Sequence, residues 1–149
     1  MTRALVGLIG LACAACGEAG VVFRVEGSLD PQVTSVAMTI VASSDAGERC
    51  RTSWSVGPGS LPYDLAVTRG ETYGAAVVLD VQVLSGETPR LRRVVWVAFE
   101  DDLLDETVEL QESCLDVTCD GDEQCVDGGC DPIAPQATGD WRGLSDCEP

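Results

Sequence analysis

At 149 residues with 45% hydrophobic content, the chain has room for one compact domain of ordinary size with short appendages, and enough apolar material to fold it. Nine basic residues against 25 acidic ones give a formal net charge of -16, which excludes the basic stripe that nucleic-acid binding by counterion release requires. All nine bases are arginine, and lysine, histidine and asparagine do not occur. Without histidine there is no imidazole metal ligand and no Ser/His or Cys/His catalytic pair, so the usual base of most hydrolases is missing.

The chain opens with one positive charge at Arg3, and residues 4–15 read ALVGLIGLACAA, apolar, too short to span a bilayer and ending in small residues before a cysteine. That pattern predicts an export signal over residues 1–15. The segment Ala14-Ala15-Cys16-Gly17 resembles the lipobox of bacterial lipoprotein signal peptides. The resemblance implies that Cys16 becomes the lipidated, palmitate-bearing N-terminus, that residues 16–19 form a tether, and that the covalent lipid holds the protein on a membrane. Cys13, preceded by Leu11-Ala12, is the alternative site. Gly17, standing where inner-membrane lipoproteins often carry Asp, implies sorting to the outer membrane. Processing at Cys16 leaves Cys50, Cys114, Cys119, Cys125, Cys130 and Cys147, a set that can pair completely, whereas processing at Cys13 leaves an odd thiol.

Residues 20–112 have a hydrophobic period of two, punctuated by Gly, Pro and Asp, and contain no helical stripe. Strands are predicted at 21–26, 34–42, 49–56, 63–68, 73–84, 91–99 and 106–110. Alternation puts Val36, Met38, Ile40 and Ala42 on one face, and Ala75, Val77, Leu79, Val81 and Val83 on another, with Asp80 and Gln82 opposite and Trp96 on the outer side of its strand. Arg90, Arg92 and Arg93 form the one basic cluster and read as strand surface. The pattern resembles immunoglobulin-like, fibronectin type III-like and carboxypeptidase regulatory-like domains, which implies an all-β, seven-stranded immunoglobulin-like β-sandwich. Antibody-type domains carry an intersheet disulfide, which cannot form here because Cys50 is the one cysteine in this region.

Residues 113–149 change texture to an acidic, cysteine-rich tail, expected to be largely irregular, with Cys114, Cys119, Cys125 and Cys130 spaced as C-x4-C-x5-C-x4-C. So short a segment cannot bury much apolar surface, and disulfides should substitute for a core. Zinc is disfavoured, because its sites prefer tighter C-x2-C spacings and exported thiols are oxidised. The tail holds an odd number of cysteines once Cys147 is included, so full pairing requires Cys50 to bond one of them; which one is left open. The spacing resembles the tails of predicted myxobacterial exported lipoproteins and, more loosely, the opening half of EGF-like modules.

Two acidic runs remain, Glu100, Asp101, Asp102, Asp105 and Glu106, and Asp120, Asp122, Glu123 and Asp127. Calcium takes oxygen ligands from such loops, which makes Asp120, Asp122 and Asp127 candidate ligands, although no EF-hand spacing is present. A solvated acidic surface is the preferred reading of both runs. A glycosidase needs two carboxylates facing each other across a cleft, and no motif indicates one. The sequence therefore points to a noncatalytic binding or structural module of the cell envelope, without a cofactor, whose partner is an envelope protein or polysaccharide. The alternative is a calcium-binding module using the acidic loops.

Overall fold

The computed structural model describes residues 19–43, 47–70, 74–139 and 141–147. Cys13, Cys16 and the whole export signal lie outside the described residues, as does Tyr73. The fold is all-β. The strands are β1 (Gly20–Glu26), β2 (Ser35–Ser43), β3 (Arg49–Val56), β4 (Tyr63–Thr68), β5 (Ala76–Ser85), β6 (Thr88–Ala98), β7 (Leu103–Glu109), β8 (Glu123–Val126) and β9 (Gly129–Pro132). Among the described residues the only helical pieces are three single 3-10 turns, and no helix is long and apolar enough to cross a membrane.

Seven of these strands form two sheets, one ordered β4-β1-β7 and the other β3-β2-β5-β6. The larger sheet is antiparallel throughout, whereas β1 pairs antiparallel with β4 and parallel with β7. In a constant immunoglobulin domain the first two strands are neighbours in one sheet. Here the first strand lies between the fourth and the seventh, and the second between the third and the fifth.

The core follows from alternation. Val21, Phe23 and Val25 of β1, with Val67 and Val108 beside them, meet Val36, Met38 and Ile40 of β2 and Val77, Leu79, Val81 and Val83 of β5 in one buried cluster. Burying each such side chain contributes roughly 1.5–3 kcal/mol, so this layer dominates the favourable side of folding. Gly27 leaves β1 where a Cβ would sit 2.4 Å from the Leu110 carbonyl oxygen, a contact that only glycine avoids.

Three strands start three residues away from where the sequence reading put them. β5 starts at Ala76, leaving Ala75 exposed before it rather than in the core. β6 starts at Thr88 and takes in Pro89, which is tolerated on an edge strand at an irregularity, where the ladder shifts register between Val83 and Leu84 opposite it. β7 starts at Leu103, because Leu104 and Val108 pair with Val21 and Val25 of β1, with Glu106 between them in the same column.

Nor is the tail irregular throughout. β8 and β9 form a hairpin around Asp127-Gly128, with φ of 52° and 80°, the pair of left-handed residues that a two-residue type I′ turn requires. The tail also shares the core, since Cys114 and Cys125 are buried in the cluster between the two sheets.

Candidate functional site

The outer face of the four-stranded sheet is covered rather than solvated. Period-two geometry turns Val41 of β2, Val78 of β5 and Val94 of β6 away from the main core. These meet Ile133, Ala137 and Trp141 from the tail in a second buried cluster, with Trp96 and Leu144 packed against it. The tail is held there at both of its ends. Near its start the guanidinium of Arg90 donates to both oxygens of Asp116 (Nη2 to Oδ2 2.6 Å), Arg93 Nη1 donates to the Cys125 carbonyl at 3.0 Å, and the Gln124 Oε1 accepts the Val94 N–H at 2.9 Å. At its other end it lies along the free edge of β3. Arg51 N donates to Ser145 O at 3.0 Å, Cys147 N donates to Arg51 O at 2.8 Å, and a disulfide joins Cys50 to Cys147. An unpaired edge is thereby closed off from pairing with another chain.

Between the sheet and this cover lies a cavity of about 290 Å³. Its floor comes from Thr39 and Asp80, which stand opposite each other on β2 and β5, and from Gln82 and Arg92 in the next row. Arg51, Gly139, Trp141 and Arg142 complete the lining. Asp80 is the one buried charged residue among the described residues, and Arg92 neutralises it through Nε (3.2 Å to each oxygen) and Nη2 (2.8 Å to Oδ2). The Thr39 and Ser53 hydroxyls bond each other at 2.9 Å. The Arg49 guanidinium sits 5.2 Å from the centroid of the Trp141 ring and donates through Nη2 to Gln136 O at 3.1 Å, which steadies the roof. Arg51 Nε and Trp141 Nε1, on two of the lining residues, are buried and have no hydrogen-bond partner.

Comparison with known proteins finds no family model, no curated protein and no solved structure that matches the chain. The site is accordingly read from its own chemistry. Three arginines border it in a chain of net charge -16, and its buried carboxylate is an internal partner of one of them, Arg92.

The six cysteines named in the sequence are joined as Cys50–Cys147, Cys114–Cys125 and Cys119–Cys130. Of the candidate calcium ligands, Asp127 has a side-chain partner within the tail. The Asp127 carboxylate accepts Gln111 Nε2 at 2.6 Å and the Asp127 N–H donates to Gln111 Oε1 at 2.7 Å, while at Asp120 and Asp122 it is the backbone carbonyls that accept, from the Glu123 N–H at 3.0 Å and the Ile133 N–H at 2.8 Å. Among the described residues no group of three or more Cys, Asp or Glu side chains converges as metal ligands would. The three clustered arginines serve three separate contacts: Arg90 with Asp116, Arg92 with Asp80 and Arg93 with Cys125. Sequence reasoning missed the cavity because Asp80 and Gln82 occupy solvent-type positions; a tryptophan at 96 on the same face, with a second in the tail, was the available signal.

The Arg90 pair has a pH signature. The hydrogen bond from Arg90, reinforced by its charge and opposed by desolvation, holds the Asp116 carboxyl below its ordinary value. A carboxyl with a depressed folded-state pKa adds stability that is complete above the unfolded value of about 3.9 and is lost as pH falls through the folded one. Asp116→Asn keeps a residue type that accepts the left-handed φ of 62° and removes the charge. The gap in denaturation midpoint between the natural chain and Asp116→Asn is expected to be constant from pH 7 to 5 and to close as the pH is lowered below about 4. A gap that persists unchanged at low pH would mean that Asp116 acts through shape alone.

Proposed function

We propose that this chain is an exported, lipid-anchored module of a bacterial cell envelope, with residues 1–15 as the signal peptide, Cys16 as the acylated residue and the outer membrane as its site. In this reading the domain is a noncatalytic binding or structural module built on a sandwich of the broad immunoglobulin-like class, in which two packed sheets recur with differing strand orders. The observation that carries it is the cysteine pairing: the six cysteines after Cys16 form three disulfides with one another, a state that persists in oxidising compartments. The lipobox-like ending at 14–17 supports an anchor upstream of that set. A double or triple acyl anchor gives stable membrane attachment without a spanning helix.

The test is metabolic labelling with an alkyne analogue of palmitate in a bacterial host, followed by fractionation. The full chain is expected to label and to sediment with membranes, and Cys16→Ser to lose both properties. Label retained in Cys16→Ser but lost in Cys13→Ser moves the anchor to Cys13, and absence of label in the natural chain removes it.

A further inference from the structure

We propose that the groove on the open side of the sandwich, between β3 and β4, holds one acyl chain of the lipid on Cys16. Thr52 and Trp54 of β3 stand opposite Ile40 and Met38, and Tyr63 and Leu65 of β4 opposite Val25 and Phe23, so all four occupy core-facing positions. Yet Thr52 is exposed and the other three are only half-buried. The two sheet edges therefore leave the core uncovered along this side, as a groove of about 400 Å³ whose lining also includes Ile40 and Val67. No lining residue carries a charge, in a chain of which 23% is charged. Such a groove suits an apolar occupant.

The point where the chain enters the domain selects the occupant. Gly20 pairs with Thr68, which lines the groove, and the Ala19 carbonyl accepts the Arg69 N–H at 2.8 Å just beyond it. The chain thus enters β1 alongside the end of β4, and among the described residues β4 has no strand on its other side. Neighbouring strands lie about 4.8 Å apart, whereas the three residue steps from Ala19 back to Cys16 reach up to about 10 Å. An acyl chain on Cys16 accordingly begins within reach of the groove, and the short tether keeps it at high effective concentration there. Its methylenes supply the dry apolar neighbour that the half-buried Trp54, Tyr63 and Leu65 lack. At about 400 Å³ the groove takes one chain and leaves the rest of the lipid for the membrane.

This inference rests on the anchor proposed above, and the test separates the two. The full chain is expressed in a bacterial host fed a palmitate analogue that bears an alkyne and a photoreactive diazirine. It is irradiated in its membranes, then unfolded, reduced and cut after arginine. Seven of the eight lining residues fall in one peptide, 52–69, and Cys16 in another that ends at Arg24. A cross-linked pair of these two peptides, formed within one chain, is expected. Thr52→Glu places a carboxylate at the exposed lip of the groove. It is expected to incorporate as much label, to melt at the natural temperature and to give about tenfold less of the pair. Label without the pair, or a pair undiminished in Thr52→Glu, overturns the groove assignment and leaves the anchor standing. Absence of label overturns both. Peptide 52–69 joined to a phospholipid in place of the pair would show that a membrane lipid fills the groove, and a pair confined to cross-linked dimers would show a second copy's chain there. Either result also overturns the assignment.

Discussion

Replacing both Cys50 and Cys147 by serine is expected to lower the stability of the chain by about 4.7 kcal/mol, the largest loss available from any one of its three described disulfides. The two cysteines are 97 residues apart, whereas each of the other pairs is separated by 11. In the chain-entropy description the stabilisation grows with the logarithm of the loop, which makes the long link worth about 2 kcal/mol more than a short one. The two short disulfides overlap and bypass only a small part of the long loop, so they alter this difference little. Both cysteines are changed together so that no unpaired thiol is left to cross-link.

The structural consequence is specific. Breaking the link frees the segment that lies along β3, and with it Trp141, the roof of the second cluster. Val41, Val78 and Val94 then lose their cover. Denaturant unfolding of the double variant, of Cys119→Ser/Cys130→Ser and of the natural chain gives the ranking, and binding of a hydrophobic dye in the absence of denaturant reports the uncovered face. Equal losses for the long and the short disulfide, with no dye binding in either, would show that the tail stays docked through side-chain contacts alone.

Much of the two-sheet core was legible because its information is local. Alternation at Val36, Met38, Ile40 and Ala42, and at Val77, Leu79, Val81 and Val83, depends only on neighbours two residues apart, and these residues are buried in the structure. The start of β7 was obscured by Glu106, a charge in the column that otherwise carries Leu104 and Val108; β7 is an edge strand, where such a residue is tolerated. Asp127-Gly128 was a readable turn signal, but its flanking strands are only four residues each and include cysteines, so the hairpin was hidden by the disulfide pattern. The cavity was the least legible feature. Whether Asp80 faces water or a roof is decided by Gly139 and Trp141, about sixty residues further along the chain, and no local pattern carries that information.

Asp80 and Arg92 therefore make a discriminating test of the roof. The Asp80 side chain is 5% exposed and that of Arg92 33%. Removing the arginine as Arg92→Met strands a carboxylate with little access to water and is expected to cost about 3 kcal/mol, at the low end for a broken buried pair because Arg92 itself reaches solvent. Asp80→Asn leaves an amide oxygen that can still accept from Arg92, and a guanidinium that can turn outward; its expected cost is about 1 kcal/mol. Asp80→Val with Arg92→Met places two apolar side chains beside Val94 on the covered face, and is expected to recover most of the loss, since a buried ion pair contributes little net stability over well-packed apolar groups. Denaturant midpoints of these variants and the natural chain give the comparison. If Asp80 faced open water, as its alternation with the core residues Leu79 and Val81 implies for an uncovered sheet, Arg92→Met would be near neutral and the paired replacement would be the worst of the three.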